Sequence, residues 1–235
     1  MFGQQFPPTE YDLRFSVTRV PVRVHPVFWL TAAWISWHDQ QLDFTLIGML
    51  CVFVSILLHE LGHAWMTRRL GHRHPEIVLE FFGGYATTAH HSRWGNIAVA
   101  AAGPGMGLLL FTALWFLDKS GSLKSLALSE YPQKAIDELI FMNWAWSLMN
   151  LVPVWPLDGG QIARQLIGFR QPYREDEIAA KLSIAVAVAM VAWSLLAPKA
   201  VVLIFGLDPK FFVVFFGYLA YLNYRSLPTS PRQPW

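Results

Sequence analysis

Thiols and charged side chains are scarce in this chain of 235 residues. A single cysteine, Cys51, is present. One thiol excludes an internal disulfide framework and any metal site built on several thiolates. Charged residues make up 14% of the chain, against about 25% in an ordinary soluble domain. Hydrophobic residues make up 54%, so the low-hydrophobicity, high-charge signature of a disordered chain is missing. An ordinary soluble enzyme does not fit this balance either. A net charge of only +2 leaves no basic footprint for nucleic acid. The first 20 residues lack the basic start, apolar stretch and small-residue cleavage site of a secretory signal. The first apolar segment is therefore expected to stay in place as an anchor.

Long apolar runs are what the chain does have, and mean hydropathy is +0.35. Eleven Trp and 17 Phe suit a protein with half-wet aromatic belts at lipid–water interfaces. About 20 apolar residues cross a bilayer as a helix. Runs near residues 24–37, 44–65, 97–117, 139–157, 178–196 and 211–224 predict about six spans. Residues 200–206 are also apolar, and extend the fifth helix past Pro198 or form a turn. With the N-terminus inside, 13 of the 18 Lys and Arg residues fall in cytoplasmic segments, as the positive-inside rule requires. Six is also the parity that leaves both ends on one side. Between the second and third runs, residues 77–82 are β-prone and close on Gly83-Gly84. A strand or small hairpin at the cytoplasmic interface is predicted there, and the alternating residues 13–24 can pair with it. The expectation is an α-helical polytopic membrane protein of about six transmembrane helices with a small interfacial β element. It forms one integral-membrane domain in the cell membrane: a cytoplasmic segment to residue 23, a core to 225 and a loose tail.

At the cytoplasmic end of the second run stand His59-Glu60-Leu61-Gly62-His63. Residues i and i+4 share a helix face, so two imidazoles at this spacing can chelate one zinc ion. The glutamate between them is placed to act as general base on a water. Ionisable residues inside a span are costly and functional by default. Three in five positions, after seven apolar or small residues, need a compensating partner, and a metal provides one. A catalytic zinc takes three protein ligands. The fourth run ends Asn150-Leu151-Val152-Pro153-Val154-Trp155-Pro156-Leu157-Asp158-Gly159-Gly160. Asp158 is its ionisable residue. Spans two and four run in the same direction, so His59, His63 and Asp158 are expected at one depth. The alternatives are a hydrogen-bonded polar cluster for the histidines and a helix-end cap for Asp158.

HELGH followed about 95 positions later by NLVPVWPLDGG resembles the site-2 protease family of intramembrane zinc metalloproteases. The resemblance takes in Gly83-Gly84 and Ala102-Gly103-Pro104, and spans roughly residues 20–225. It implies zinc ligands at His59, His63 and Asp158, a catalytic glutamate at Glu60, and one zinc ion per chain. It also implies a role for Asn150 in binding substrate or stabilising an oxyanion, with an interhelical hydrogen bond as the alternative. Gly107 stands where many members have Asn. The interval between the two motifs has no room for the PDZ domain that many bacterial members carry, nor does a nucleotide-sensing module follow the last span. The chain resembles a minimal catalytic core.

The function this implies is zinc-dependent hydrolysis of peptide bonds within or near transmembrane segments, on the cytoplasmic side. The partners are a transmembrane protein or peptide substrate and the lipid bilayer, with no nucleic acid. Cleavage would release a membrane-tethered regulator or clear remnants such as signal peptides. Pro153 and Pro156 should break the fourth helix and let Asp158 turn to the metal. Residues 77–82 are expected to offer an edge strand to an unwound substrate. A non-catalytic membrane scaffold would be expected to have lost one of the four site residues. A metal transporter would spread ionisable residues along its spans. His25, His38, His72, His74, His90 and His91 read as interfacial or solvated.

Overall fold

The computed structural model describes residues 7–37, 41–72, 74–80, 83–86, 91–125 and 128–227. The tail at 228–235, Phe81, Phe82, His38 and His90 lie outside them. Two compact units make up the chain. One holds Gly3–His91 and Ala101–Leu148; the other holds Ser92–Ala100 and Met149–Trp235.

The first unit begins with an antiparallel hairpin, β1 (Leu13–Val17) and β2 (Val20–Val24). Its two-residue turn, Thr18-Arg19, has φ of 48° and 64°, the left-handed pair that matches strand twist in a tight hairpin. Arg68 donates to the Thr18 carbonyl at 2.8 Å. Two further strands, β3 (Ile77–Glu80) and β4 (Gly83–Ala86), complete a sheet of order β1-β2-β3-β4. β2 and β3 are parallel, with Val22 opposite Ile77 and Val24 opposite Leu79. The pairing expected of residues 13–24 with the β-prone run is therefore present. The expected edge strand is not where the sequence put it. β3 is paired on both sides, because the chain turns back at Gly83 to add β4. Among the described residues β4 and β1 are the two edge strands, and β4 is the one next to β3.

Asp12 ties this hairpin down. Its carboxylate accepts from the Thr9 backbone and hydroxyl at 3.1 and 2.7 Å and from Arg23 at 3.2 Å. Burial pushes its carboxyl up, but the Thr9 hydrogen bonds and Arg23 outweigh that and hold it at about 2 against an ordinary 3.8. A depressed carboxyl contributes stability above its unfolded pKa and loses it as pH falls through the folded value. Asp12→Asn should therefore remove a loss of thermal stability between pH about 4 and about 2. Melting curves across that range check it; an unchanged acid limb would contradict it.

Helix α1 (Pro26–Ile35) starts with Pro26 in the first turn and the His25 ring accepting from the Val27 N–H at 3.2 Å. Then come α2 (Leu42–Arg69), α3 (Arg93–Lys119), the short α4 (Ser122–Ser125) and α5 (Glu130–Asn150). Asp43 in the first turn of α2 and Arg68 and Arg69 in its last complement the helix dipole. Cys51 of α2 lies against α5, with its Sγ 3.5 Å from the Ala135 carbonyl.

The second unit holds α6 (Asp158–Arg170), α7 (Glu175–Leu196), α8 (Pro198–Phe205) and α9 (Pro209–Ser226). Glu175, Asp176 and Glu177 open α7, again on the favourable dipole end. Residues 200–205 belong to a helix of their own, so the run neither extends the fifth helix nor forms a turn. Gly206 ends α8 in the left-handed region at φ 56°, where a side chain would be strained. Asp208 caps α9 by accepting from Lys210 N–H at 2.8 Å.

Among the described residues three helices, α2, α3 and α7, are long and apolar enough to cross a membrane; α8 with α9, bent by 91°, makes a fourth if the pair is one span. That supports a mostly helical membrane protein with three or four candidate spans among those residues. α1 has 10 residues, about 15 Å of helix against a hydrocarbon core of about 30 Å. α5 carries Glu130, Lys134, Asp137 and Glu138 in its first half, and it stops at Asn150, seven residues before the expected end at Leu157.

Candidate metal centre

The 28-residue α2 is continuous through HELGH, so the sequence spacing becomes real geometry. His59, Glu60 and His63 are 3%, 3% and 7% exposed. Their ligand atoms lie within 4.8 Å of one another. The two Nε2 atoms are 3.1 Å apart, with the rings edge to face at 80°. Zinc–nitrogen bonds are about 2.0–2.1 Å long, so both nitrogens can reach one ion. Two imidazoles and a carboxylate gathered this closely are donor types that a divalent ion takes. The donor set fits zinc better than magnesium, which prefers oxygen ligands.

Two glycines wall this group, one from the Gly83-Gly84 pair that closes the β-prone run and one from Ala102-Gly103-Pro104. A Cβ on Gly103 of α3 would overlap His63 Nε2 and lie 2.8 Å from His59 Nε2. A Cβ on Gly84 of β4 would lie 2.7 Å from Glu60 Cγ and 3.0 Å from its Cδ. Gly62 serves the same approach from α2, since a Cβ there would overlap the Ala102 carbonyl. Ala102-Gly103-Pro104 and Gly83-Gly84 were visible in the sequence. Their contacts with the histidines and Glu60 depend on chain approach, which no spacing encodes. A cavity of about 450 Å³ beside Gly62, lined by Trp65, Met66, Met106, Leu109 and Thr112 among others, carries no titratable side chain.

Asn150 and Asp158 lie in the other unit. Asn150 is the last residue of α5 and Asp158 the first of α6; they are 8% and 5% exposed. The seven residues between them are irregular, as Pro153 and Pro156 require, since neither has an N–H for a helix ladder. Neighbouring helices hold this stretch. Ser183 accepts from the Trp155 N–H at 2.9 Å, and Asn223 donates to the Trp155 carbonyl at 2.7 Å. Gly159 and Gly160 pack on it so closely that a Cβ on either would overlap its backbone. Leu157, not Asp158, holds the N-cap position of α6. Sequence reasoning missed α6 altogether, because its polar and small residues follow an apolar run without a turn signature beyond the prolines.

Residues 47–119 and 121–192 match the sequence pattern of peptidase family M50. A zinc metalloprotease of Methanocaldococcus jannaschii is 26% identical over 88% of this chain and 59% of its own length. A putative zinc metalloprotease of Synechocystis is 37% identical over 52% of this chain and 31% of its own. Stage IV sporulation protein FB of Bacillus subtilis is 30% identical over 66% and 50%. The chain thus spans between 31% and 59% of the length of these curated relatives. The solved site-2 protease from M. jannaschii shares the fold, with a TM-score of 0.59 at 20% identity over 95% of this chain and 99% of that one.

Proposed function

The chain belongs to peptidase family M50, and from that premise we propose that it is a zinc-dependent endopeptidase cutting peptide bonds within or near transmembrane segments. The observation that carries the proposal is the buried His59-Glu60-His63 group near the end of an apolar span, its ligand atoms within 4.8 Å. Curated relatives bearing zinc-metalloprotease names support it.

His59 and His63 would hold one zinc ion, with Asp158 as third ligand. Bound zinc would supply Lewis acidity toward a water and the scissile carbonyl. Glu60 takes the proton of the attacking water and returns it to the leaving nitrogen. Asn150 hydrogen-bonds the developing oxyanion or the substrate backbone. Six crossings with both termini in the cytoplasm complete the proposal, supported by the cation bias of the loops. Asp158→Ala should lower bound zinc well below one per chain after dialysis, as read by metal analysis. Full retention of zinc would remove Asp158 from the ligand set.

The proposed substrate is a membrane-tethered regulator or a remnant such as a signal peptide. Its helix hides every peptide bond in its own ladder and must unwind first. β4 supports a docking mode by strand addition. The Leu79 carbonyl turns toward β2, where it accepts from His25 N–H at 2.9 Å. By alternation Val78 faces β4 and pairs with Tyr85. The backbone of Gly84 and Ala86 then points away from β3, beside Glu60. Ala86→Pro removes an outward donor and spares the β3–β4 ladder. It should lower cleavage about tenfold or more while zinc content and melting point hold; unchanged turnover would take β4 out of the mechanism.

A further inference from the structure

We propose that Asn143 and Ser147 of α5 bind one water molecule in the core of α2, α3 and α5, where the Ser147 hydroxyl packs against Gly107. Both residues are 1% exposed. The Asn143 amide is fixed in orientation. Its Nδ2 donates to Ser55 Oγ at 2.9 Å and to the Leu139 carbonyl at 2.8 Å, and a carbonyl can only accept. Oδ1 must therefore face the other way. Asn143 Oδ1 and Ser147 Oγ find no hydrogen-bond partner among the described residues.

These two oxygens converge on α3. A Cβ on Gly107 would overlap Ser147 Oγ and lie 3.6 Å from Asn143 Oδ1. A buried polar group without a partner is costly, most of all in a segment surrounded by lipid. Such groups are characteristically satisfied by a buried water, which makes about three hydrogen bonds. An amide oxygen and a hydroxyl carry no charge to hold a cation, which selects water as the ligand. Water can donate to Asn143 Oδ1 and accept from or donate to Ser147 Oγ.

Ser55 lies four residues before His59, on the same face of α2. The hydrated seam thus adjoins the face of α2 that carries the histidines, about one helical turn of 5.4 Å further along. This relation to the metal centre rests on the zinc-protease reading; the water site itself does not.

A structure of the full chain in a lipidic mesophase, at a resolution that shows ordered water, tests the site. A peak is expected about 2.7–3.2 Å from both Asn143 Oδ1 and Ser147 Oγ. No peak there, with Ser147 Oγ turned onto a backbone carbonyl, would overturn it. A thermal double-mutant cycle reads the same site in solution. Two groups sharing one water are coupled. Ser147→Ala should lower the melting point about half as much, or less, in an Asn143→Leu background as in the wild type. Equal losses in both backgrounds would contradict a shared water. Neither readout depends on zinc or on cleavage, so the site can fail while the protease reading stands, and the reverse.

Discussion

Glu60→Gln is expected to abolish cleavage and leave the zinc in place. Proton transfer by a positioned general base is worth about 10²–10⁴ in rate. Glutamine keeps the shape of glutamate, so the wall formed by Gly84 still fits it; a Cβ on Gly84 would already lie within 3.0 Å of Glu60 Cγ and Cδ. What is lost is the ability to accept a proton. Single-turnover cleavage beside metal analysis of the same preparation separates the two effects. Cleavage within about tenfold of wild type would assign the base elsewhere.

Gly103→Ala is the second large effect, and it acts on the metal and not on the proton. The added methyl would meet His63 Nε2 first and His59 Nε2 next. It sits on the backbone of a 27-residue helix, so the imidazoles must give way. Changes in the shell around metal ligands cost about 10–100-fold in affinity, and zinc affinity should fall by that order. Gly105→Ala provides the control on the same helix. A Cβ there meets nothing within 4 Å, and alanine is the better helix former, so zinc affinity should not change. Competition titration against a chelator measures both. Equal affinities in the two variants would mean that α3 does not set the histidine geometry.

The histidine pair and Glu60 were legible because an α-helix converts a four-residue spacing into one face, and nothing in α2 interrupts it. The pairing of residues 13–24 with the β-prone run was legible because alternation marks a half-buried strand, whereas the turn at Thr18-Arg19 that splits them into two strands was not. The edge position was misread for a physical reason. Residues 77–82 look like one strand, yet the chain reverses at Gly83 and spends its next residues pairing back. That reversal makes β3 interior and hands the free edge to β4. Spans were legible where apolar character coincides with length, in α2, α3 and α7; α1 is short and α5 carries charge in its first half, so the crossings expected there stay with the proposal. Glycines were the least legible. Gly84, Gly103 and Gly107 look alike as letters, and only the fold shows that the side chains of Glu60, the two histidines and Ser147 pack against them. Asp158 and Asn150 sit where the broken fourth helix was expected to put them in the chain, at the two ends of a proline-interrupted stretch. Their role at the metal remains part of the proposal.

The most direct measurement is cleavage of a generic transmembrane substrate by the purified, zinc-loaded chain, with products identified by mass spectrometry. The account predicts cleavage at a bond within or beside the substrate's span, stopped by a chelator and restored by added zinc. Cleavage that persists in a sample shown to be free of zinc would contradict it.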